Sequence, residues 1–296
     1  MKSQILAAIL KKLRSSPDFT STGIEKYRKI LDTSGCALKT DTEPELKKIY
    51  INHIPGAWIY PEHIRKDNVM LYLHGGGFIA GSINSHKNLA AGIAKASKVS
   101  ALIIEYRLAP EHPFPAGLND ALTAYEWLLN HGFPSDKICL GGDSAGGGLA
   151  LSLLLKIKEK KLPMPCAAAL ISPWTDLTCK NPSRREHQKK DPMINQHMLF
   201  HASRLYTGGK NLDHYLVSPA NGDFEGLCPL LVQAGSLEVL MDDAVHLAEK
   251  AENAGVKVTL DIWPDMFHVW HFFSKFLVQG RAAVAEIGKF IQSHTK

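Results

Sequence analysis

No run in the sequence approaches the roughly 18 consecutive apolar residues of a membrane-spanning helix; the longest candidates, such as residues 166–171, have only strand length. Stable membrane insertion is therefore not expected. Cysteine is scarce and unpatterned: the five at 36, 139, 166, 179 and 228 form no C-x-x-C pair, so neither a disulfide framework nor a zinc ligand set can be read from them. The apolar run from Ile5 to Leu10 is cut by Lys11 and Lys12 and lacks a small-residue cleavage site beyond it. With the cysteine usage, this points to a reducing, cytoplasmic location. An excess of one charge is missing too. Lys+Arg 34 against Asp+Glu 29 gives +5 with His neutral, spread along the chain and not gathered into a stripe, so nucleic acid is not an expected partner. There is no internal repeat or low-complexity tract, and 45% hydrophobic with 21% charged residues excludes disordered, collagen-like and coiled-coil chains. What remains is a folded body of 296 residues, long enough for one large domain or two ordinary ones.

Residues 1 to about 40 carry helical periodicity, with Ile5, Leu6, Ile9, Leu10 and Leu13 on one face and Lys2, Lys11, Lys12 and Arg14 on the other. Beyond this amphipathic lead-in, short apolar strands alternate with helical patterns. Strands are expected over 47–53 and 57–60, on either side of a Pro55-Gly56 turn, and over 69–73, 101–106, 138–140, 167–172, 230–234 and 256–263. Helices are expected over 84–97, 117–130, 147–160, 242–254 and 272–293. Such alternation specifies an α/β protein: a mostly parallel twisted sheet of about eight strands, covered by helices on both faces, with its site at the C-terminal strand ends. Residues 180–213 break the pattern. They are polar and basic at first, then partly apolar-periodic through Met198, Leu199, Phe200 and Leu205, with no readable strand. A long insertion of this kind is expected to lie over the active end of the sheet. The lysines at 156, 158, 160 and 161 read as a solvated helix end complementing the helix dipole.

The strongest chemical signal is the strand-turn-helix stretch 138–148, which contains Gly142-Asp143-Ser144-Ala145-Gly146. In G-x-S-x-G, glycines without a β-carbon let strand and helix pack closely while the serine takes a strained backbone that lifts its hydroxyl clear of the sheet. A phosphate loop would instead end in G-K-[ST], which is absent. Ser144 is the candidate nucleophile. A serine hydroxyl is weak at neutral pH, so the motif calls for a base, an orienting acid and donors to an oxyanion. His74-Gly75-Gly76-Gly77 follows a strand, and three successive glycines allow backbone N–H groups to converge. Gly76 and Gly77, with the N–H of Ala145 just after the nucleophile, are the expected oxyanion hole.

Chain order selects the base and acid, because around such an elbow the acid and then the histidine follow the serine on loops after later strands. His268 lies in the loop after the last expected strand, with His271 as its rival there. The loop after 230–234 offers Glu238, Asp242 and Asp243. The two aspartates open an apparent helix, where they read equally as a cap or dipole partner; Glu238 is the expected acid and Asp242 the alternative. Phe19, Tyr27, Phe78, Trp174, Phe200 and Tyr206 lie where they could line a substrate pocket or simply pack.

These residues resemble the hormone-sensitive-lipase-like branch of the α/β-hydrolases, a microbial family of short-chain esterases and lipases. Besides His74 to Gly77 and Gly142 to Gly146, the resemblance includes Tyr106-Arg107-Leu108-Ala109-Pro110-Glu111, Phe114-Pro115-Ala116, Asp120 before Trp127, residues 172–177 (S-P-W-T-D-L) and Ser218-Pro219, so it spans nearly the whole chain. It implies an α/β-hydrolase core over 46–179 and 216–296, with a helical cap from residues 1–45 and 180–215. It also implies a carboxylic-ester hydrolase without metal or other cofactor, acting on small esters of short to medium acyl length. One departure stands out: the family's acid loop usually reads D-P-L, whereas here Glu238 takes the aspartate's place and Val239 the proline's. Amidase or lactonase activity would use the same machinery. A non-catalytic ligand-binding protein on this fold would be expected to lose the histidine, and His268 is present. A homodimer through an exposed sheet edge is compatible with the resemblance.

Overall fold

Along a strand, successive side chains point to opposite faces, and the sheet of this protein sorts them into two cores. The computed structural model describes residues 4–37, 44–64 and 67–295; the ends of the lead-in at residues 1–3 and 38–40, Lys2 included, and the side chain of Cys36 lie outside the described residues. The strands are β1 (Leu46–Ile51), β2 (Ile54–Ile59), β3 (Val69–Leu73), β4 (Ser100–Ile104), β5 (Ile138–Asp143), β6 (Ala167–Ile171), β7 (Leu230–Gly235) and β8 (Val258–Trp263). They form one sheet in the order β1-β2-β4-β3-β5-β6-β7-β8, in which β2 runs antiparallel to both its neighbours and every other pairing is parallel. Leu71, Leu102, Leu140, Leu170 and Val232 face one core, beneath α5 (Ala116–Asn130), α6 (Ala145–Glu159) and α9 (Met241–Asn253). Their neighbours Met70, Ala101, Cys139, Ala169 and Leu231 face the other, beneath α4 (Ile83–Ser97) and α10 (Val278–His294). The strand centres are therefore apolar on both faces, as a sheet covered on both sides requires.

Two local expectations are corrected. The β1–β2 turn is not at Pro55-Gly56: Ile51 pairs with Ile54, which leaves Asn52 and His53 as the loop. Asn52 takes a φ of 55, a region its short polar side chain tolerates. Pro55 lies inside β2, where its carbonyl accepts the Glu105 N–H at 2.8 Å. The helix expected from residue 272 is also divided into a 3-10 turn, Trp270–Phe273, and α10. The N–H groups of Phe276 and Leu277 both turn back to the Phe273 carbonyl, at 2.8 and 2.7 Å. Tertiary packing overrides the helical pattern here. Trp270 and Leu277 enter a third cluster with Met266, Phe267, Leu6 and Leu10, while Val284, Ile287 and Ile291 stay on the sheet.

The amphipathic lead-in is three helices, α1 (Gln4–Arg14), α2 (Phe19–Thr22) and α3 (Ile24–Ala37). The break comes at Pro17-Asp18, where the Asp18 carboxylate caps α2 by accepting the N–H groups of Thr20 and Ser21. α3 is fastened to the core by Arg28, whose guanidinium donates to the carbonyls of Ile79 (2.7 Å) and Ala109 (3.0 Å) and pairs with both oxygens of Glu111 at 2.8 Å. The insertion between β6 and β7 holds a single-turn helix, α7 (Ser183–Glu186), and α8 (Gln196–Thr207). Asn195 caps α8 through the Met198 N–H, and Gly208 ends it at a φ of 63.

Candidate active site

β5 passes directly into α6 at Ser144, which takes φ 54 and ψ −123, a strained conformation for a residue with a side chain. The turn exists because its neighbours are bare. A β-carbon on Gly142 would overlap the Gly146 carbonyl, and one on Gly146 would overlap the Leu73 carbonyl of β3. The Ser144 N–H is held by the Ile171 carbonyl at 2.8 Å, and its own carbonyl accepts the Trp174 N–H at 3.0 Å. So anchored, its hydroxyl lies 2.8 Å from His268 Nε2. His268 Nδ1 donates to Glu238 Oε2 at 2.9 Å, which leaves Nε2 as the acceptor for the serine proton. The other oxygen, Oε1, accepts the Ser172 hydroxyl at 2.7 Å and the Gly235 N–H at 2.6 Å. Glu238 is fully buried and His268 is 3% exposed. Burial opposes charge on the imidazole, but the hydrogen bond and charge of Glu238, joined by Asp191 and Asp143, outweigh it and hold His268 above its ordinary pKa.

The rivals are engaged elsewhere. His271 Nε2 lies 2.8 Å from Gln233 Oε1, and burial pushes its pKa down to about 3. Asp242 accepts the Ser183 N–H at 2.8 Å. Asp243 accepts the N–H groups of Thr175 and Asp176 and pairs with the fully buried Arg184 at 2.7 Å.

A cavity of about 240 Å³ opens over Ser144 and His268 and is predominantly apolar. Gly76 and Gly77 form part of its wall at positive φ of 119 and 65, and their N–H groups, like that of Ala145, meet no acceptor among the described residues. Phe19, Tyr27 and Trp174 line the cavity. The other aromatics do not: Phe78 and Tyr206 stack on each other with ring centroids 3.9 Å apart, and Phe200 is exposed beneath Arg204.

Residues 70–272 match the family of proteins with the alpha/beta hydrolase fold. The chain belongs to the α/β-hydrolase family. Within it, the chain is similar to an acetyl-hydrolase of Streptomyces hygroscopicus, 41% identical over 83% of this chain and 82% of that one. An esterase of Acinetobacter venetianus is 34% identical over 84% of each chain. The fold matches the crystal structure of an esterase from the bacterial hormone-sensitive lipase family at a TM-score of 0.96 and 38% identity, over the full length of both chains.

Around the line from Ser144 through His268 to Glu238, the α/β-hydrolase places motif residues whose contacts the sequence does not give, together with Tyr72 and His86, which sequence reasoning did not single out. Asp143 is buried and accepts the Tyr72 hydroxyl at 2.7 Å and the Gly75 N–H at 3.1 Å, with His86 Nε2 3.3 Å from its second oxygen. It therefore joins the serine turn to the glycine loop, and Gly75 must be bare because a β-carbon would overlap that carboxylate. His74 stacks on Tyr106 with ring centroids 4.3 Å apart, and burial pushes its pKa down to about 3, so it packs as a neutral ring. The Tyr106 hydroxyl donates to the His74 carbonyl at 2.7 Å, and Arg107 is tied to Asp120 through its N–H and guanidinium. Ser172, at a φ of 46, gives its hydroxyl proton to Glu238 and accepts the Val269 N–H at 3.1 Å, bracing the loops of acid and imidazole against each other. No local motif marks Tyr72 or His86, and the 172–177 motif that Ser172 opens does not tell its role, since the partners of all three lie far along the chain.

Among the described residues no helix is long and apolar enough to cross a membrane, and no group of three or more His, Cys, Asp or Glu is placed to hold a metal.

Proposed function

We propose that this α/β-hydrolase is a serine carboxylesterase that cleaves short- to medium-chain carboxylic esters through an acyl-enzyme. The observation that carries the reading is the continuous line of hydrogen bonds from Ser144 Oγ through His268 to Glu238, opening onto an apolar cavity beside unpaired glycine N–H groups. In the first step Ser144 Oγ attacks the ester carbonyl carbon while its proton passes to His268 Nε2. The carbonyl oxygen gains the negative charge, which the N–H groups of Gly76, Gly77 and Ala145 stabilise. The tetrahedral intermediate collapses as the C–O bond to the alcohol breaks and His268 returns its proton to the departing oxygen. Water then enters, gives a proton to His268 and attacks the acyl carbon; collapse returns that proton to Ser144 and releases the acid. Throughout, Glu238 holds the imidazole in the tautomer with Nδ1–H and stabilises its cationic form.

The cavity supports a small substrate: about 240 Å³ is below the range of roughly 300–1,000 Å³ found for drug-sized ligands. Its walls come from α2 and α3 on one side and from the insertion on the other, with Phe19, Leu31, Met193 and Leu199 among them. On this basis residues 1–45 and 180–215 act as a cap over the core formed by 46–179 and 216–296. The similarity to an acetyl-hydrolase and an esterase favours ester over amide cleavage.

The test is labelling by a fluorophosphonate together with hydrolysis of p-nitrophenyl esters of increasing acyl length. One label per chain is expected, absent from Ser144→Ala, with activity greatest for short and medium chains and reduced by several orders of magnitude in the variant. Labelling that persists in Ser144→Ala, or a wild type inert toward every activated ester, would reject the assignment.

A further inference from the structure

The insertion from Ser183 to Ile194 grips the loop after β7 at successive residues. Ser183 donates its hydroxyl to the Val239 carbonyl and its N–H to Asp242, both at 2.8 Å. His187 Nδ1 donates to the Glu238 carbonyl at 2.9 Å, and Asp191 Oδ2 accepts the Val239 N–H at 3.0 Å. The peptide that follows Glu238 is thus held at both its carbonyl and its N–H by side chains from the insertion. Asp191 reaches further. Its other oxygen accepts the N–H groups of Met193 (2.9 Å) and Ile194 (3.1 Å), and both of those residues line the cavity. One carboxylate therefore joins the wall that a substrate meets to the loop that carries the acid. The group is 7% exposed, and burial pushes its carboxyl above the usual range despite His268 nearby and the donated N–H groups. A carboxylate in so dry a place is costly unless its hydrogen bonds are complete.

We infer that Asp191 is a positioning residue for hydrolysis: it holds Glu238 in line with His268 and ties that alignment to the Met193 and Ile194 wall of the cavity. The inference rests on the roles proposed above for Ser144, His268 and Glu238. A residue that acts through Glu238 has nothing left to position once Glu238 is gone, whereas one that merely supports the fold costs activity in either background.

The deciding experiment is a double-variant cycle on the full chain, read by kcat for p-nitrophenyl acetate and butyrate and by the rate of fluorophosphonate labelling. Asp191→Ala is expected to lower both rates on the order of 10- to 100-fold, the scale of an ångström-sized misplacement. In a Glu238→Ala background the same change is expected to cost less than about twofold. Equal losses in the two backgrounds, or an unaltered kcat in the single variant, would overturn the inference. If Asp191→Ala does not fold, as judged by circular dichroism and melting, the same cycle with Asp191→Asn decides by the same outcomes, since asparagine keeps the volume and one acceptor oxygen. Failure of the underlying functional reading is distinguishable, because Ser144→Ala would then keep its activity or its label.

Discussion

In the proposed reaction His268 must be neutral to take the proton from Ser144, and its environment holds the imidazole above its ordinary pKa. The sign follows directly: activity is lost as pH falls through the folded-state value, so the acid limb of kcat/KM is expected to have its midpoint above about pH 6.5. Glu238→Gln removes the leading influence that raises this value, while burial, which lowers it, and the lesser pull of Asp191 and Asp143 remain. That variant is expected to lose kcat on the order of 10³- to 10⁴-fold and to move its acid limb to lower pH than in the wild type. Asp242→Asn should stay within about threefold of wild type with an unmoved limb, because the Asp242 carboxylate is bonded to the Ser183 N–H and is not among the groups that shift the imidazole. Rate-pH profiles of the three proteins check this, and an inactive Asp242→Asn beside an active Glu238→Gln would reverse the choice of acid. That Ser144, His268 and Glu238 would meet was legible from sequence, because each sits at a fixed place in the order of strands and loops. Asp143 and Ser172 stand in segments that sequence marks, but what they touch does not show there, and Tyr72, His86 and Asp191 carry no local mark at all, because all five act through contacts between distant segments.

Among the elements, short continuous apolar runs were enough to locate the central strands, since burial on both faces of a sheet leaves no polar alternation. Turn chemistry was less legible. Pro55-Gly56 is the stronger turn signal, yet the pairing of Ile51 with Ile54 puts the reversal at Asn52 and His53. The helical reading of residues 272–293 likewise missed the competing demands of two clusters on one segment. The insertion is pinned to α9 by Arg184 and Asp243, both side chains fully buried and 2.7 Å apart. Burial alone raises the Asp243 carboxyl pKa, and Arg184 is the charge that counters it. Arg184→Met would strand the carboxylate in the interior and is expected to cost about 3–5 kcal/mol of stability, read as a lower urea midpoint at unchanged m-value. A loss below about 1 kcal/mol would mean that the pair holds little of the insertion in place.

At the scale of the whole molecule, the parallel sheet, its two helical layers and the site at the strand ends were all readable from the order of the elements. What the sequence concealed is how the outer helices meet the chemistry. α3 is locked to the glycine loop's neighbourhood by Arg28, and the insertion clasps the acid loop. α1 is attached differently, through Leu6 and Leu10 packed on Met266, Phe267 and Trp270, the residues that flank His268. A short amphipathic helix held mainly by one apolar face belongs to the part of a protein that opens first on warming. Its departure would loosen the segment that presents the imidazole while the central strands stayed paired. Gentle heating should therefore silence turnover some degrees before far-ultraviolet circular dichroism registers any melting, and the lost rate should return on cooling; coincident, single-step decay of both signals would mean that this helix is no weak point at all.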